Sequence, residues 1–162
     1  MEIAIISDTH MPRGAKRRLP DECVERLRAA DLVIHAGDFM RAEVLRQLQT
    51  HAPLIAVYGN VDDAELRSSL PERRTLEANG GRIGIVHDAG PSRGRLNRLR
   101  AWFPDVQAVV FGHSHIPLHE RAPDGFQIFN PGSPTERRRS RRHTMGIARV
   151  GQTIEFELIA LD

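Results

Sequence analysis

The chain has 162 residues, of which 40% are hydrophobic and 27% are charged, a balance typical of a globular protein rather than a disordered or fibrous one. We expect residues 1–162 to form a single domain, since this length suits one hydrophobic core. The only cysteine, Cys23, excludes an intramolecular disulfide and a zinc site built from several thiolates.

The N-terminal residues MEIAIISDTH have no basic segment and only a short apolar run, which is not the pattern of a signal peptide. Later stretches of the chain all fall short of the roughly 18 consecutive apolar residues that a membrane span needs. We therefore expect a cytoplasmic protein.

The positive charge of the chain is concentrated in one segment. The formal net charge is +2, but residues 137–142 (RRRSRR) carry five arginines, so the rest of the chain has a net charge of −3. This segment is either a solvated loop or, if it folds toward a functional site, an attractor of phosphate-rich ligands. A nucleic-acid-binding protein built around it is the weakest alternative, because it rests on this one short segment. The aromatic residues are also too sparse to form a stacking platform for bases.

Predicted strands and helices alternate in the first half of the chain. Apolar strands are expected at residues 2–6, 31–38 and 53–60, and apolar residues recur at helical spacing in residues 21–30 and 41–50. Short loops join these elements, so right-handed parallel crossovers are expected.

The second half is expected to contain more antiparallel strands. Residues 73–88 (RRTLEANGGRIGIVHD) have the pattern of a hairpin around the turn NGG. A helix is predicted at 91–103 and a strand at 105–112, followed by short candidate strands at 117–121, 126–130, 143–150 and 153–159. The whole pattern predicts an α/β protein with two packed sheets.

Side chains that can bind metal ions follow five of the predicted strands. Each of these residues alone has the pattern of a turn or a helix cap, although two histidines spaced i, i+2 serve no obvious turn chemistry. Ligands of α/β proteins bind beyond the carboxyl ends of the strands, where several loops meet. The candidate metal ligands at this edge are Asp8, His10, Asp38, Asn60, His87, His113 and His115.

These donors are carboxylate and amide oxygens with imidazole nitrogens, which suit borderline divalent ions. We expect manganese first, with nickel, iron or zinc as alternatives. Seven ligands are too many for one such ion, but they suit two ions if one carboxylate bridges them. Two ions about 3.5–4 Å apart form a site for phosphoryl transfer.

The ordered motifs SDTH, GD, GN, His and GHSH resemble those of the calcineurin-like metallophosphoesterases. With NPGSP near its end, the chain is most similar to the small bacterial and archaeal phosphodiesterases of the family that includes Vps29. The resemblance spans residues 1–159. It implies a four-layer αββα sandwich, in which two mixed β-sheets pack face to face with helices outside.

The resemblance also implies roles for the ligands. Asp8, His10, Asp38 and His115 would hold one metal, and Asp38, Asn60, His87 and His113 the other, with Asp38 as the bridge. The implied activity is hydrolysis of phosphate esters, most of all diesters, by direct attack of a metal-bridging hydroxide, with Asp38, Asn60 and His113 as the catalytic residues. The alternative is a Vps29-like interaction scaffold with a vestigial metal site; the complete ligand set favours the enzyme.

Two positions depart from the motifs of the wider superfamily. Val61 follows the GN asparagine where many members have a histidine near the leaving group, and valine cannot donate a proton. The next residue, Asp62, matches an acidic residue of the small phosphodiesterases. Asp88 stands where a glycine often follows the ligand histidine, either adding negative charge or only turning the chain.

The loop NPGSP is expected near the site in this family, so Asn130 and Ser133 are candidates for orienting metal ligands or substrate. His35, close to the GD motif, is expected to pack or hydrogen-bond beside the site rather than to bind metal. The expected substrate is a small phosphodiester or phosphomonoester. A nucleotide substrate and a homo-oligomeric state are left open.

Overall fold

The computed structural model describes residues 1–14 and 16–162. Two five-stranded sheets form its centre, one in the strand order β10-β9-β1-β2-β3 and the other in the order β4-β5-β6-β8-β7. The strands are β1 (Glu2–Ile6), β2 (Leu32–His35), β3 (Leu54–Ala56), β4 (Arg73–Ala78), β5 (Gly81–Val86), β6 (Ala108–Val110), β7 (Leu118–Arg121), β8 (Gln127–Asn130), β9 (Thr144–Val150) and β10 (Ile154–Ala160). The helices are α1 (Asp21–Ala29), α2 (Ala42–Gln49), α3 (Ala64–Ser69) and α4 (Arg95–Trp102).

Apolar side chains of the central strands point alternately to the two faces of each sheet and form three apolar clusters. In β1, Ile3 and Ile5 belong to the cluster between the two sheets, whereas Ala4 and Ile6 belong to the cluster beneath α1, α2 and α3. A third cluster packs Leu99 of α4 against the outer face of the second sheet. Successive residues of a strand point to opposite faces, so both faces of each sheet are covered. The expected four-layer sandwich of two mixed sheets is confirmed.

Parallel pairing aligns the carboxyl ends of the strands along one edge. In the first sheet β1 pairs in parallel with β2, and β2 pairs in parallel with β3. In the second sheet β5 and β6 are parallel, as are β6 and β8. The loops after β1, β2, β3, β5 and β6 therefore emerge on one side of the sandwich, where the sequence places its candidate ligands.

Two helices differ from the sequence prediction. Helix α3 was not expected because it has only six residues and buries only Leu66, too little for a periodic pattern; Asp63 caps it by accepting a hydrogen bond from Leu66 N (2.9 Å). Helix α4 begins at Arg95 instead of residue 91, since Gly94 takes a left-handed φ of 72°. Among the described residues, none of the helices is long and apolar enough to cross a membrane.

Candidate metal centre

The loops that follow β1, β2, β3, β5 and β6 bring the seven predicted side chains together. Asp8, His10 and His115 form one group and Asp38, His87 and His113 a second, and within each group the potential ligand atoms lie within 4.8 Å of one another. Asn60 joins the second group, with its Oδ1 3.0 Å from His87 Nε2 and 3.1 Å from His113 Nδ1. The first sheet supplies Asp8, His10, Asp38 and Asn60, and the second supplies His87, His113 and His115.

The carboxylate of Asp38 lies between the two groups. Its Oδ2 is 3.2 Å from His10 Nε2 in the first group and 3.1 Å from His87 Nε2 in the second. The side chain is buried, and its other oxygen, Oδ1, accepts a hydrogen bond from Val61 N (3.0 Å). One carboxylate oxygen is thus equally close to both groups.

The histidines are oriented by contacts on the side away from the centre. His10 Nδ1 lies 3.1 Å from the Glu136 carboxylate, His87 Nδ1 lies 2.7 Å from the Ala36 carbonyl, and His115 Nδ1 contacts the Glu136 carbonyl. Such outer contacts fix the ring and its tautomer, which is typical of metal-binding histidines. Their Nε2 atoms face inward. That of His115 is buried without a hydrogen-bond partner, and that of His10 is buried 3.2 Å from Asp38 Oδ2 without the geometry of a hydrogen bond. An unpartnered buried nitrogen is costly, so a cation fits here.

Glu136 was missed in the sequence analysis. It follows the NPGSP loop at the start of the basic segment and is half-buried, with no periodicity or motif to mark it. Only its contacts with two histidines more than twenty residues away give it a role.

Charges at the centre perturb one another strongly. Burial lowers the pKa of His10, but the carboxylates of Asp38 and Asp8 outweigh this effect and raise the pKa to about 9. Burial raises the pKa of Asp38, but the imidazoles of His10 and His87 beside its carboxylate outweigh this effect and hold the pKa far below its ordinary value. Without metal, the carboxylates thus retain a proton on His10, which a divalent cation would have to displace.

The backbone at the centre is strained. Five of the seven candidate ligands have positive φ values in the left-handed region: Asp8 (57°), His10 (41°), Asp38 (66°), His113 (72°) and His115 (60°). Each non-glycine residue in this region costs about 1–2 kcal/mol. Such strain concentrates where function requires a fixed geometry, so its coincidence with these residues points to a functional site.

The glycines before the ligands permit a close approach between loops. A Cβ added at Gly59 would collide with the carboxylate and backbone of Asp38, and one added at Gly112 would collide with the Ser7 hydroxyl and lie 2.8 Å from Asp8 Oδ2. The glycines of the GN and GHSH motifs therefore make room for the carboxylates of neighbouring loops.

Asp62 ties together the loops after β2 and β3. Its Oδ2 accepts hydrogen bonds from Asp38 N (3.1 Å) and Gly59 N (2.7 Å), and its Oδ1 accepts one from Met40 N (2.7 Å). The side chain is only 5% exposed, and burial raises its pKa. Asp62 thereby fixes the loop that carries Asp38 relative to the loop that carries Asn60.

Asn130 and Ser133 support the ligand loops from beneath. Asn130 Nδ2 donates to the Gly112 carbonyl (3.0 Å), and the Ser133 hydroxyl donates to the Asp8 carbonyl (2.7 Å). Both side chains are buried, so the contacts they make are with the loops. Contact of either residue with substrate stays a prediction.

His35 lies beside the centre with both ring nitrogens engaged. Gly37 N donates to its Nδ1 (3.1 Å), which leaves Nε2 to donate to the Thr9 hydroxyl (3.1 Å). The ring stacks on Phe39, and complete burial lowers its pKa to about 3. A neutral imidazole packed in this way agrees with the expected supporting role.

Known protein families and solved structures match this chain over nearly its whole length. Residues 1–153 match the calcineurin-like phosphoesterase superfamily domain. The chain is 32% identical over 161 residues to a probable metallophosphoesterase of Methanothermobacter thermautotrophicus, covering 98% of this chain and 92% of the relative. Vps29 from Entamoeba histolytica, solved with zinc, has a TM-score of 0.79 and 20% identity over the full length of both chains. An archaeal phosphodiesterase has a TM-score of 0.73 and 23% identity over 99% of each chain.

Proposed function

This chain belongs to the calcineurin-like phosphoesterase superfamily, and we propose that it is a metal-dependent phosphodiesterase with a dinuclear centre. The observation that carries the proposal is the position of Asp38 Oδ2 between His10 and His87, one from each ligand group. A carboxylate shared in this way is what a pair of adjacent cations requires.

The ligands divide between the ions as follows. Asp8, His10, Asp38 and His115 would hold one ion, and Asp38, Asn60, His87 and His113 the other. The mixed oxygen and imidazole donors suit manganese, our first choice, as well as nickel, iron and zinc. When bound, the ions would bind phosphate oxygens and supply a hydroxide nucleophile at neutral pH.

Substrate is proposed to approach from the side of Asn60 and His113. Asp8, Asp38 and His115 are buried, whereas Asn60 is exposed and the His113 side chain is 43% exposed. The amide of Asn60 and the ring of His113 are then placed to hold the non-bridging oxygens of a phosphate. The buried residues keep the ligand geometry fixed and exclude water from beneath.

Metal removal and restoration tests this function. The protein is stripped of metal, reloaded separately with Mn²⁺, Ni²⁺, Zn²⁺ or Mg²⁺, and assayed with phosphomonoesters, linear diesters and cyclic nucleotides. We expect hydrolysis only with metal, with Mn²⁺ most effective and a linear diester the best substrate. Absence of hydrolysis with every metal would overturn the proposal.

The valine at position 61 predicts a strong dependence on the leaving group. Val61 is 38% exposed and directly follows Asn60, so a substrate's leaving group would meet a side chain that donates no proton. The rate should fall steeply as the leaving-group pKa rises, and Val61→His should accelerate esters of poor leaving groups by up to about 100-fold. Val61→Gln is the control, because it adds polarity without a comparable acid. A flat dependence in the unmodified protein would contradict this prediction.

Metal binding is predicted to compete with protons. The pKa of His10 is about 9, because the carboxylates of Asp38 and Asp8 outweigh the effect of burial, and a ligand imidazole must be neutral. At pH values below 9, each increase of one pH unit should raise the apparent metal affinity by up to about tenfold, and metal binding should release protons. Calorimetry at pH 6, 7 and 8, in buffers of different ionisation enthalpy, measures both quantities. Equal affinity at all three values would show that His10 remains neutral or does not bind metal.

A second candidate is an interaction scaffold of the Vps29 type. The fold likeness to Vps29 favours it, but at 20% identity that likeness concerns the fold alone. A scaffold has no need for five strained residues aimed at one centre, or for a complete ligand set. Stoichiometric metal binding without hydrolysis of any ester would favour the scaffold.

A further inference from the structure

Two basic loops flank the candidate metal centre. Residues 13–18 and 137–142 together hold nine of the 23 lysines and arginines of the chain. All nine side chains belong to exposed residues. We call the described residues 13, 14, 16–18 and 137–142 the basic rim.

Contacts tie both halves of the basic rim to the ligand loops. Arg17 Nη1 donates to the His10 carbonyl (2.7 Å) and lies 3.5 Å from the Glu136 carboxylate, which itself contacts His10 Nδ1. From the other half, Arg138 Nη1 donates to the His113 carbonyl (3.3 Å). Each basic segment therefore contacts the backbone of a candidate ligand, although the two segments are more than a hundred residues apart in sequence.

A cationic cleft extends the basic rim along α1 and α2. It has a volume of about 280 Å³ and is lined by Arg17, Arg18, Arg28 and Arg41, with Asp21 the only acidic side chain among its described lining residues. The rest of its described lining is Gln47, His51 and five apolar side chains, with no phenylalanine, tyrosine or tryptophan among them. Guanidinium groups bind phosphate through paired N–H donors, whereas base recognition relies on aromatic stacking. The four guanidinium groups of the cleft therefore favour phosphate groups.

We infer that the basic rim and its cleft bind phosphates of the substrate that lie beyond the one being hydrolysed. This inference rests on the proposed function, since it extends the same site. The ligand chemistry is a linear chain of phosphates, as in a single-stranded oligonucleotide or an inorganic polyphosphate. Several convergent arginines raise the local concentration of such a polyanion and weaken as salt screens them. Recognition is independent of base sequence.

Binding to the metal-free protein tests the basic rim separately from catalysis. The probe is a fluorescent eight-nucleotide oligothymidylate, measured by anisotropy over a series of salt concentrations. Arg18→Gln combined with Arg139→Gln removes one charge from each half of the rim. We expect weaker binding and a salt slope (log K against log salt) that is shallower by about 1.4, from about 0.7 for each lost contact.

The matched control removes the same charge elsewhere. Arg121→Gln combined with Arg149→Gln changes two side chains that are 51% and 58% exposed, at the end of the sheets opposite the ligands. The control should keep the salt slope of the unmodified protein. Equal losses in the two double variants would overturn the inference, because the effect would then reflect net charge alone.

A second measurement uses the metal-loaded protein. The ratio of kcat/KM for the oligonucleotide to kcat/KM for bis(p-nitrophenyl) phosphate should fall about tenfold in the rim variant and stay unchanged in the control. The same assay with inorganic polyphosphate shows which of the two phosphate chains is the better substrate. Hydrolysis of the small diester with an unchanged ratio would overturn the inference and leave the proposed function intact. Rim-dependent oligonucleotide binding without hydrolysis of either substrate would support the basic rim and overturn the proposed function.

Discussion

Asp38→Ala is expected to lower kcat/KM for a phosphodiester by about a thousandfold and to reduce the bound metal from two ions to at most one. Asp38 Oδ2 lies within 3.2 Å of a histidine from each ligand group, so its loss would affect both ions of the proposed centre. Changing a residue that only supports a ligand typically costs 10–100-fold in metal affinity or activity. Removal of a ligand shared by two ions should reduce metal affinity and activity by a larger factor. Metal content by mass spectrometry and steady-state kinetics measure the two effects.

The control for this variant lies at the other end of the same strand. Asp31 immediately precedes β2, is exposed, and accepts a hydrogen bond from Glu2 N (2.7 Å) far from the ligands. Asp31→Ala removes an equal charge and should keep both ions and the activity. Two bound ions and full activity in Asp38→Ala would exclude the bridging role.

Asp62→Ala is expected to destabilise the protein by about 3 kcal/mol, because three backbone N–H groups lose their acceptor and unsatisfied buried donors cost about 1–3 kcal/mol each. For a chain of this size the loss corresponds to a fall in Tm of about 6–12 °C. Activity should also fall, since the donors lie in the loops that carry Asp38 and Asn60. Thermal unfolding and kinetics on the metal-loaded protein measure both.

The neighbouring Asp63 provides the matched control. Asp63 caps α3, with Oδ1 accepting from Leu66 N (2.9 Å) and Oδ2 accepting from Ala42 N (3.1 Å). Asp63→Ala leaves two backbone N–H groups without an acceptor, one fewer than Asp62→Ala, and neither group belongs to a residue next to Asp38 or Asn60. It should therefore cost about 2 kcal/mol, lower Tm less and leave metal stoichiometry unchanged. Equal effects of the two variants would show that Asp62 has no special part in holding the loops.

The order of strands and helices could be predicted because it depends on local patterns. Apolar runs such as residues 2–6 mark buried strands wherever they occur, and parallel strands end at one edge. The candidate ligands were found for the same reason, since each directly follows a strand. Helix α3 could not be predicted, because a cap at Asp63 and one buried leucine do not form the repeating apolar pattern of a helix.

The supporting structure of the centre could not be predicted, because it depends on contacts between distant residues. The backbone hydrogen bonds of Asp62, the contacts of Glu136 with His10 and His115, and the positive φ angles of the ligands exist only in the folded chain. The sequence shows which side chains end each strand, but not how their geometry is fixed.

The division of the candidate ligands between the two sheets would give metal binding a mechanical role. Each ligand group contains residues from both sheets: Asp8 and His10 face His115, and Asp38 faces His87 and His113. Ions bound there would act as staples that close the sandwich along one edge, adding about 2.7 kcal/mol of stability for each site at a free metal concentration 100 times its dissociation constant. Opening motions of the loaded protein would then concentrate at the opposite edge, where β1 begins and β9 ends.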